Sequence, residues 1–492
     1  MIIPFLLFTA CSDKSDSDEI YDTASSDDTD TSDTSDTTDT TDTSDTSDTS
    51  DTGDTTDPVD EDVYQFLRDG STSVSYSGQT FRLALITEFA SWLDSRQDAL
   101  GTSWNPSDEA AVLNDINFYL EFDSSIGGQI PFSFVSNTAE ENFDGISSGK
   151  DIVGKLAGND SVTDHKNWTS GDFTGWSLGG TPASPEALVG FWGGLFASRV
   201  ISTGGAATTG PDGSSYTNVA ITPDGHDLTA LLHNFILMGV TFSQGTDDYL
   251  DDDTDGKGLK ASHESINDGK NYTSLEHQWD EGFGYLGAAK DFLSYTNMEV
   301  ISGDSFDSDG DGKIDLKSEY NWTPIMWAAT IDHGTSYSNN PTDFANTAVA
   351  AFIDGRSYIA ETPIGTPQAD YLATLTEYRN IAVDNWDHAV AGTVVHHLNN
   401  VLEHMSQFGS SNYDFEAHAT SWSTMKGISL GLQFNPRSTL SDNDFSTFHN
   451  LVGDAPTLPN AGNTNISNYI GDLESARSII GSAYGFQNID MW

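Results

Sequence analysis

Cysteine is almost missing from this sequence, which has one thiol, Cys11, among 492 residues. A single thiol excludes an intrachain disulfide, and it excludes the zinc clusters that need several thiolate ligands.

Basic residues are also scarce, with 19 Lys and Arg against 76 Asp and Glu, for a formal net charge of −57. Such a surface repels nucleic-acid phosphates and anionic lipid headgroups, so neither is an expected partner. An acidic surface attracts cations, and it keeps a protein soluble in a salty medium. We therefore expect metal ions as partners and no nucleic acid.

Long apolar runs are absent after the N-terminus, where none approaches the roughly 18 residues of a membrane-spanning helix. The N-terminus itself reads MIIPFLLFTAC. This short apolar run, ending in small residues before Cys11, is typical of a lipoprotein signal peptide whose cysteine is lipidated. Residues 1–11 thus predict a lipid anchor, and Ser12 after the cysteine favours the outer membrane or cell surface. A coincidental cysteine is the alternative.

Apolar side chains are nearly missing again from residues 12–59, which consist of Ser-Asp-Thr repeats. A segment with so little to bury is expected to be a disordered tether. From residue 60 onward the composition is that of a folded domain, with most of the 11 Trp and 26 Phe residues.

Helical periodicity dominates residues 60–492, where apolar residues recur at three- and four-residue intervals. The clearest segments are 81–95, 107–122, 184–200, 226–242 and 368–407. The last of these predicts one long helix or two with a kink. Alternation typical of strands is confined to NFYLEF (117–122) and VSYSG (74–78). We predict an all-α array or bundle, in one body or two sub-bundles, with long Asp- and Gly-rich loops.

The segment SLEHQWDEGFGY (274–285) concentrates polar residues on one side of a predicted helix. His277, Asp280 and Glu281 fall on one face, with Gly284 beside them, and the apolar residues take the opposite face. Imidazole and carboxylate at this spacing can bind one cation, and the small residue leaves room for an ion, a water or another backbone. A solvated polar stripe is the alternative.

The segment DSDGDGKIDLKSE (307–319) has the pattern of an EF-hand-type calcium loop. Oxygen ligands at alternate positions can surround Ca²⁺, and Gly312 permits the sharp turn. The sequence departs from the EF-hand pattern at position twelve, which is Ser318. The last acid, Glu319, therefore comes one residue later than the pattern requires. The candidate ligands are Asp307, Asp309, Asp311, the Lys313 carbonyl, Asp315 and Glu319.

A weaker copy, DDDTDGKGL (251–259), places Asp251, Asp253 and Asp255 before a glycine. It lacks a later acid, so a solvated loop is as good an interpretation as calcium. Other common signatures are missing, including H-E-x-x-H, G-x-S-x-G, the P-loop and the Rossmann glycines. Of the remaining histidines, His397 and His404 share a helix face, and His418 begins another helix.

Three segments resemble a bacterial lipoprotein family that is catalogued only as a domain of unknown function. They are EHQWDEGFGYLGAAKDF, MGVTFSQGTDDYL and MKGISLGLQFNPRS. The resemblance extends over roughly residues 60–490 and implies a lipid-anchored, secreted protein. A looser similarity is to imelysin-like helical proteins linked to iron uptake, which carry G-x-H-x-x-E. Here His277-x-x-Asp280 replaces the acid with Asp, and Leu275 replaces the glycine.

Three functions remain open from the sequence. The first is a lipid-anchored, non-enzymatic envelope protein that binds calcium structurally and iron, manganese or zinc at His277, Asp280 and Glu281. The second is a hydrolase in which His277 is a general base or metal ligand. The third is a calcium-stiffened adhesin or glycan-binding module.

Overall fold

The computed structural model describes residues 62–159, 164–178 and 181–492. The predicted signal peptide with Cys11 and the predicted tether at 12–59 lie outside these residues.

The described residues are mostly helical, which confirms the all-α prediction. The longer helices are α1 (Ser77–Asp94), α2 (Glu109–Leu120), α3 (Pro185–Thr203), α4 (Leu228–Leu237), α5 (Ser274–Leu286), α6 (Thr323–Thr335), α7 (Phe344–Glu361), α8 (Gln368–Ser406), α9 (Phe415–Gly431), α10 (Asp442–Val452) and α11 (Asn463–Tyr484). Single-turn α-helices occupy Arg96–Ala99, Ser124–Gly127, Phe143–Ile146 and Asn297–Ile301.

Strands in the described residues are limited to three antiparallel pairs of two-residue strands. They pair Leu67–Arg68 with Ser71–Thr72, Ser177–Leu178 with Thr181–Pro182, and Thr208–Thr209 with Ser215–Tyr216. The two strand candidates from the sequence were wrong. NFYLEF lies mainly in α2, whose Asp108 cap accepts a hydrogen bond from the Ala111 amide, and whose Val112 and Ile116 face the core at helical spacing. VSYSG leads into the first turn of α1.

The long segment 368–407 forms one helix, α8, of 39 residues. Its predicted apolar row faces the core at Leu375, Trp386, Val394, Leu398 and Val401. Ile381, an apolar residue of the same segment, is instead 45% exposed. Helices α7 and α9 both pack along α8, which gives it enough buried surface to remain a single element.

The predicted helix 226–242 changes its geometry partway along. It begins as α4 and continues as two π-helical stretches, Met238–Phe242 and Gln244–Tyr249. All residues from 238 to 249 are buried, including a run of polar side chains from Ser243 to Asp248. We call residues 238–249 the π segment. Helix α5 packs against it, and against α1 and α7.

One hydrophobic cluster extends through the described residues, from Tyr64 to Tyr484. None of the helices that the structure describes combines the length and the apolar character needed to cross a membrane.

Candidate metal sites

Helix α5 begins with a capping box formed by Thr273 and Glu276. The Thr273 hydroxyl accepts a hydrogen bond from the Glu276 amide at 3.3 Å, and the Glu276 carboxylate accepts one from the Thr273 amide at 2.7 Å. The helix ends at Gly287, whose φ of 76° is readily adopted by glycine. These two ends fix which side chains face the neighbouring helices.

Arg356, from α7, is buried against the polar face of α5. Its Nε donates to Asp280 Oδ1 at 2.8 Å, and its Nη1 donates to Glu276 Oε1 at 3.1 Å. Its Nη2 donates to the Ser73 carbonyl at 3.0 Å. Burial alone would lower the pKa of Arg356, but the charges of Asp280 and Glu276 outweigh it and raise that pKa. We call Arg356, Glu276 and Asp280 the buried ion network.

The two acids of this network have further partners on the segment before α1. Asp280 Oδ1 also accepts from the Tyr64 hydroxyl at 2.8 Å, and Asp280 Oδ2 accepts from the Ser75 amide at 3.1 Å. Glu276 Oε1 accepts from Arg68 Nη2 at 2.8 Å. Both oxygens of Asp280 are therefore used in holding the fold together.

His277 and Glu281 face each other one turn apart on α5. His277 Nδ1 contacts the Ser75 carbonyl at 3.0 Å, so it carries the proton, because a carbonyl can only accept. In the neutral imidazole, Nε2 then has a lone pair, and it lies 3.8 Å from Glu281 Oε1. Tyr272 stacks on the imidazole at 4.6 Å between ring centroids. The structure thus brings two of the three predicted ligands together, and metal binding at this face stays a prediction.

The predicted free space beside Gly284 is filled by α1. A Cβ atom at Gly284 would lie 2.7 Å from Tyr76 Cβ and 2.9 Å from Gln79 Cβ. Gln79 also donates to Glu281 Oε1 at 2.8 Å. The sequence left an ion, a water or another backbone open as occupants of this space. The structure places another helix there.

The Asp307 loop brings three predicted ligands together at the surface. In the part of the chain that the structure describes, one group of three acidic or histidine side chains has ligand atoms within 4.8 Å of one another, and it consists of Asp307, Asp309 and Asp311. Asp307 accepts from the amides of Gly310 at 2.7 Å and Gly312 at 2.8 Å. Asp309 accepts from the Asp311 amide at 3.0 Å. These hydrogen bonds fold the loop back around the Asp307 carboxylate.

The second half of the loop is tied to a distant segment. Ile314 donates its amide to the Asn137 carbonyl at 3.1 Å and accepts from the Ala139 amide at 2.9 Å. The Lys313 amide donates to Asp311 Oδ1 at 2.8 Å. These backbone bonds fix the position at which Lys313 would offer its carbonyl.

Glu319, the late acid, lies beneath the loop. Its Oε1 accepts from the Ser308 amide and its Oε2 from the Asp315 amide, each at 2.9 Å. Asp315 in turn accepts from the Lys317 amide at 2.7 Å. In this arrangement Glu319 closes the loop through hydrogen bonds, and its role as a bidentate ligand stays a prediction, as does that of Asp315.

The weaker acidic loop does not bring its three predicted ligands to one point. Asp251 pairs with Arg437, Asp253 lies 3.7 Å from His165 Nδ1, and Asp255 lies 3.6 Å from Lys260 Nζ. Each carboxylate thus faces a different basic side chain. The interpretation as a solvated loop fits the exposed Asp253 and Asp255, whereas Asp251 is buried.

Of the other histidines that the sequence singled out, His418 is buried, and His397 and His404 are partly buried. Burial lowers the pKa of His397 and of His418 to about 3, and the neighbouring imidazoles add to the effect. The Tyr413 hydroxyl lies 3.1 Å from His418 Nδ1, and the His404 ring lies 6.0 Å from the His418 ring. The imidazoles of His397 and His418 are therefore neutral at physiological pH.

Sequence reasoning missed Arg356 entirely, although a signal was present. Ala348, Phe352, Arg356 and Ile359 share one face of α7, and all are buried. An arginine within an otherwise apolar helix stripe needs a buried acid, and α5 carries two in one turn.

Comparison with known proteins gives one partial match. A family model described as a domain of unknown function (DUF4856) matches residues 201–306. The matched range includes the π segment, the weaker acidic loop and α5, and it ends just before the Asp307 loop. None of the curated proteins matches the chain, and neither does any solved structure. The sequence thus contains a segment similar to a family of unknown function.

Proposed function

We propose that this chain is a lipid-anchored protein of the bacterial cell envelope whose helical body binds calcium at the Asp307 loop. The observation that carries the calcium proposal is the convergence of Asp307, Asp309 and Asp311 within 4.8 Å. Carboxylate oxygens at this density suit a hard cation such as Ca²⁺. The hydrogen bond from the Gly312 amide lowers the pKa of Asp307, so this acid is ionised and able to bind a cation.

The position of the loop supports a structural role for the cation. Ile314 joins the loop to residues 137–139, and Lys290 Nζ lies 3.6 Å from the closing Glu319. A bound Ca²⁺ would neutralise the repulsion between three exposed acids and stiffen this junction. A transition metal, as the looser resemblance to imelysin-like proteins suggests, would instead have His277 and Glu281 as ligands on α5.

Calcium titration tests the loop directly. In the full-length chain with Cys11→Ser, Asp309→Asn is expected to weaken calcium binding at least tenfold, about 1.4 kcal/mol, because it removes a ligand of the central trio. Isothermal titration calorimetry measures this change.

The matched control for this titration is Asp304→Asn, which removes the same charge from an exposed position just before the loop. It is expected to leave the affinity close to that of the parent. Equal weakening in both variants would show that calcium responds only to the overall negative charge, and it would exclude the loop as a site.

The location of the protein is tested separately. The proposed anchor depends on Cys11 and the lipoprotein-like run before it. We expect the natural sequence, produced in a Gram-negative host, to incorporate labelled fatty acid and to sediment with membranes. Cys11→Ser is expected to do neither, and labelling that survives this substitution would contradict the proposal.

A further inference from the structure

Asp247, in the π segment, is a buried acid with one unused oxygen. Its side chain is 1% exposed, and its Oδ2 accepts from the His165 amide at 3.0 Å. Its Oδ1 has no hydrogen-bond partner in the described part of the chain. A buried carboxylate oxygen without a partner costs free energy, so proteins seldom retain one unless something else compensates for it.

A narrow cleft, too tight for a water molecule as it stands, lies against this acid. It is lined by Asp247, Asp248, Asp251, Thr254 and Lys257. Three carboxyl groups and a hydroxyl group thus converge on this narrow cleft, and a single lysine provides the positive charge in its lining. This donor set consists of hard oxygens, the ligands that Ca²⁺, Mg²⁺ and Mn²⁺ prefer.

The charges round the cleft make an ionised Asp247 unfavourable without a cation. Burial, together with the negative charges of Asp248, Asp164 and Asp251, raises the pKa of Asp247 to about 9, although the hydrogen bond from the His165 amide opposes the shift. Arg437 donates a hydrogen bond to Asp251 and another to the Thr246 carbonyl, and it is not among the residues that line the cleft.

The backbone explains how two adjacent acids come to be buried together. In a π-helix the hydrogen bond spans one more residue than in an α-helix, and such turns occur often at functional sites. The π segment directs Asp247 and Asp248 toward the cleft, while Gly258 packs against the carbonyls of Asp248 and Asp251 and closes it from the loop side. A Cβ at Gly258 would lie 2.2 Å from the Asp251 carbonyl oxygen, so the closure requires glycine.

We propose that this cleft binds one hard divalent cation, with Asp247 Oδ1 as its central ligand and the Asp248 carboxylate as a second. The Thr254 hydroxyl and Asp251, at the edge of the weaker acidic loop, complete the oxygen shell. Lys257 moves toward solvent when the cation binds. The site is independent of the Asp307 loop, since the two share no residue. In this proposal Asp251 lies at the edge of the cleft site. The sequence had instead placed it in a calcium loop with Asp253 and Asp255.

The test uses the full chain with Asp309→Asn, which weakens the Asp307 loop, and compares it with the double variant Asp309→Asn/Asp247→Asn. CaCl₂, MgCl₂ and MnCl₂ are titrated separately by calorimetry at constant ionic strength. We expect the single variant to bind one equivalent of at least one of the three cations, and the double variant to bind it at least tenfold more weakly. Comparing the three salts identifies the cation.

Asp255→Asn in the same background is the matched control, because it removes an almost fully exposed carboxylate from the neighbouring loop. It is expected to leave the affinity unchanged. Asp247→Asn removes a buried acid, so the variant is expected to fold, with a Tm no lower than that of its parent. If circular dichroism shows that it is unfolded, Asp248→Asn takes its place, with the same expected loss. Equal cation binding in the parent and in the folded variant would overturn the proposal.

Discussion

Arg356→Met is expected to lower the free energy of unfolding by about 3–5 kcal/mol. Arg356 is fully buried and is bonded to both Glu276 and Asp280. Methionine fills much of the same volume but leaves the buried Asp280 carboxylate without a cation and Glu276 with Arg68 alone, which is the costly way to break a buried ion pair. Urea unfolding followed by circular dichroism measures the change.

Arg68→Met is the matched control for this prediction. Arg68 also contacts Glu276, but its side chain is 19% exposed, and Arg356 remains in place to compensate for both acids. The expected loss is about 1 kcal/mol. A triple change of Arg356→Met, Glu276→Gln and Asp280→Asn is expected to recover part of the lost stability, because no buried charge is left uncompensated. Equal losses for Arg356→Met and Arg68→Met would show that the network has no special role.

Gly355→Ala is expected to lower the free energy of unfolding by about 1–3 kcal/mol, although alanine is the better helix former. A Cβ at this position in α7 would lie 2.1 Å from Trp279 Cζ2. The indole cannot retreat easily, because its Nε1 donates to the Phe352 carbonyl at 2.9 Å and the ring is fully buried. The substitution therefore pushes α5 away from α7.

Gly471→Ala in α11 provides the matched comparison. It makes the same chemical change inside a helix, but no atom outside its local backbone lies within 4 Å of the added Cβ. Helix propensity then acts alone, and we expect stability to rise by about 1 kcal/mol. Thermal unfolding of both variants measures the two opposite shifts. A rise in Tm for Gly355→Ala would contradict the tight packing between α5 and α7.

The sequence was most informative where the structure depends on neighbours along the chain. The polar and apolar faces of α5 follow from helical periodicity, and the three acids of the Asp307 loop follow from alternate spacing within a few residues. Both involve residues that are close in sequence, so their relative positions depend on local backbone geometry alone.

The sequence was least informative where a partner comes from far along the chain. Asp280 and Arg356 are separated by 76 positions, and Gly284 meets a helix that begins about 200 residues earlier. The π segment could not be predicted for a different reason. Its apolar spacing matches an α-helix through residue 242, and its contacts with α5 and Arg437 come from later in the chain. Asp247 consequently resembled one more surface acid in a very acidic chain.

The buried ion network also has a mechanical consequence, because its partners lie at the start of the described chain. Tyr64 stacks on Phe283 at 3.7 Å and bonds Asp280, and its amide donates to the Lys290 carbonyl at 2.7 Å. A few residues later, Arg68 holds Glu276. Tension applied from the N-terminal side therefore meets a set of parallel charged and aromatic contacts before it reaches α1. If the protein were held by its N-terminus in flowing liquid, the contacts of Tyr64 and Arg68 would be the first in the described chain to bear the force.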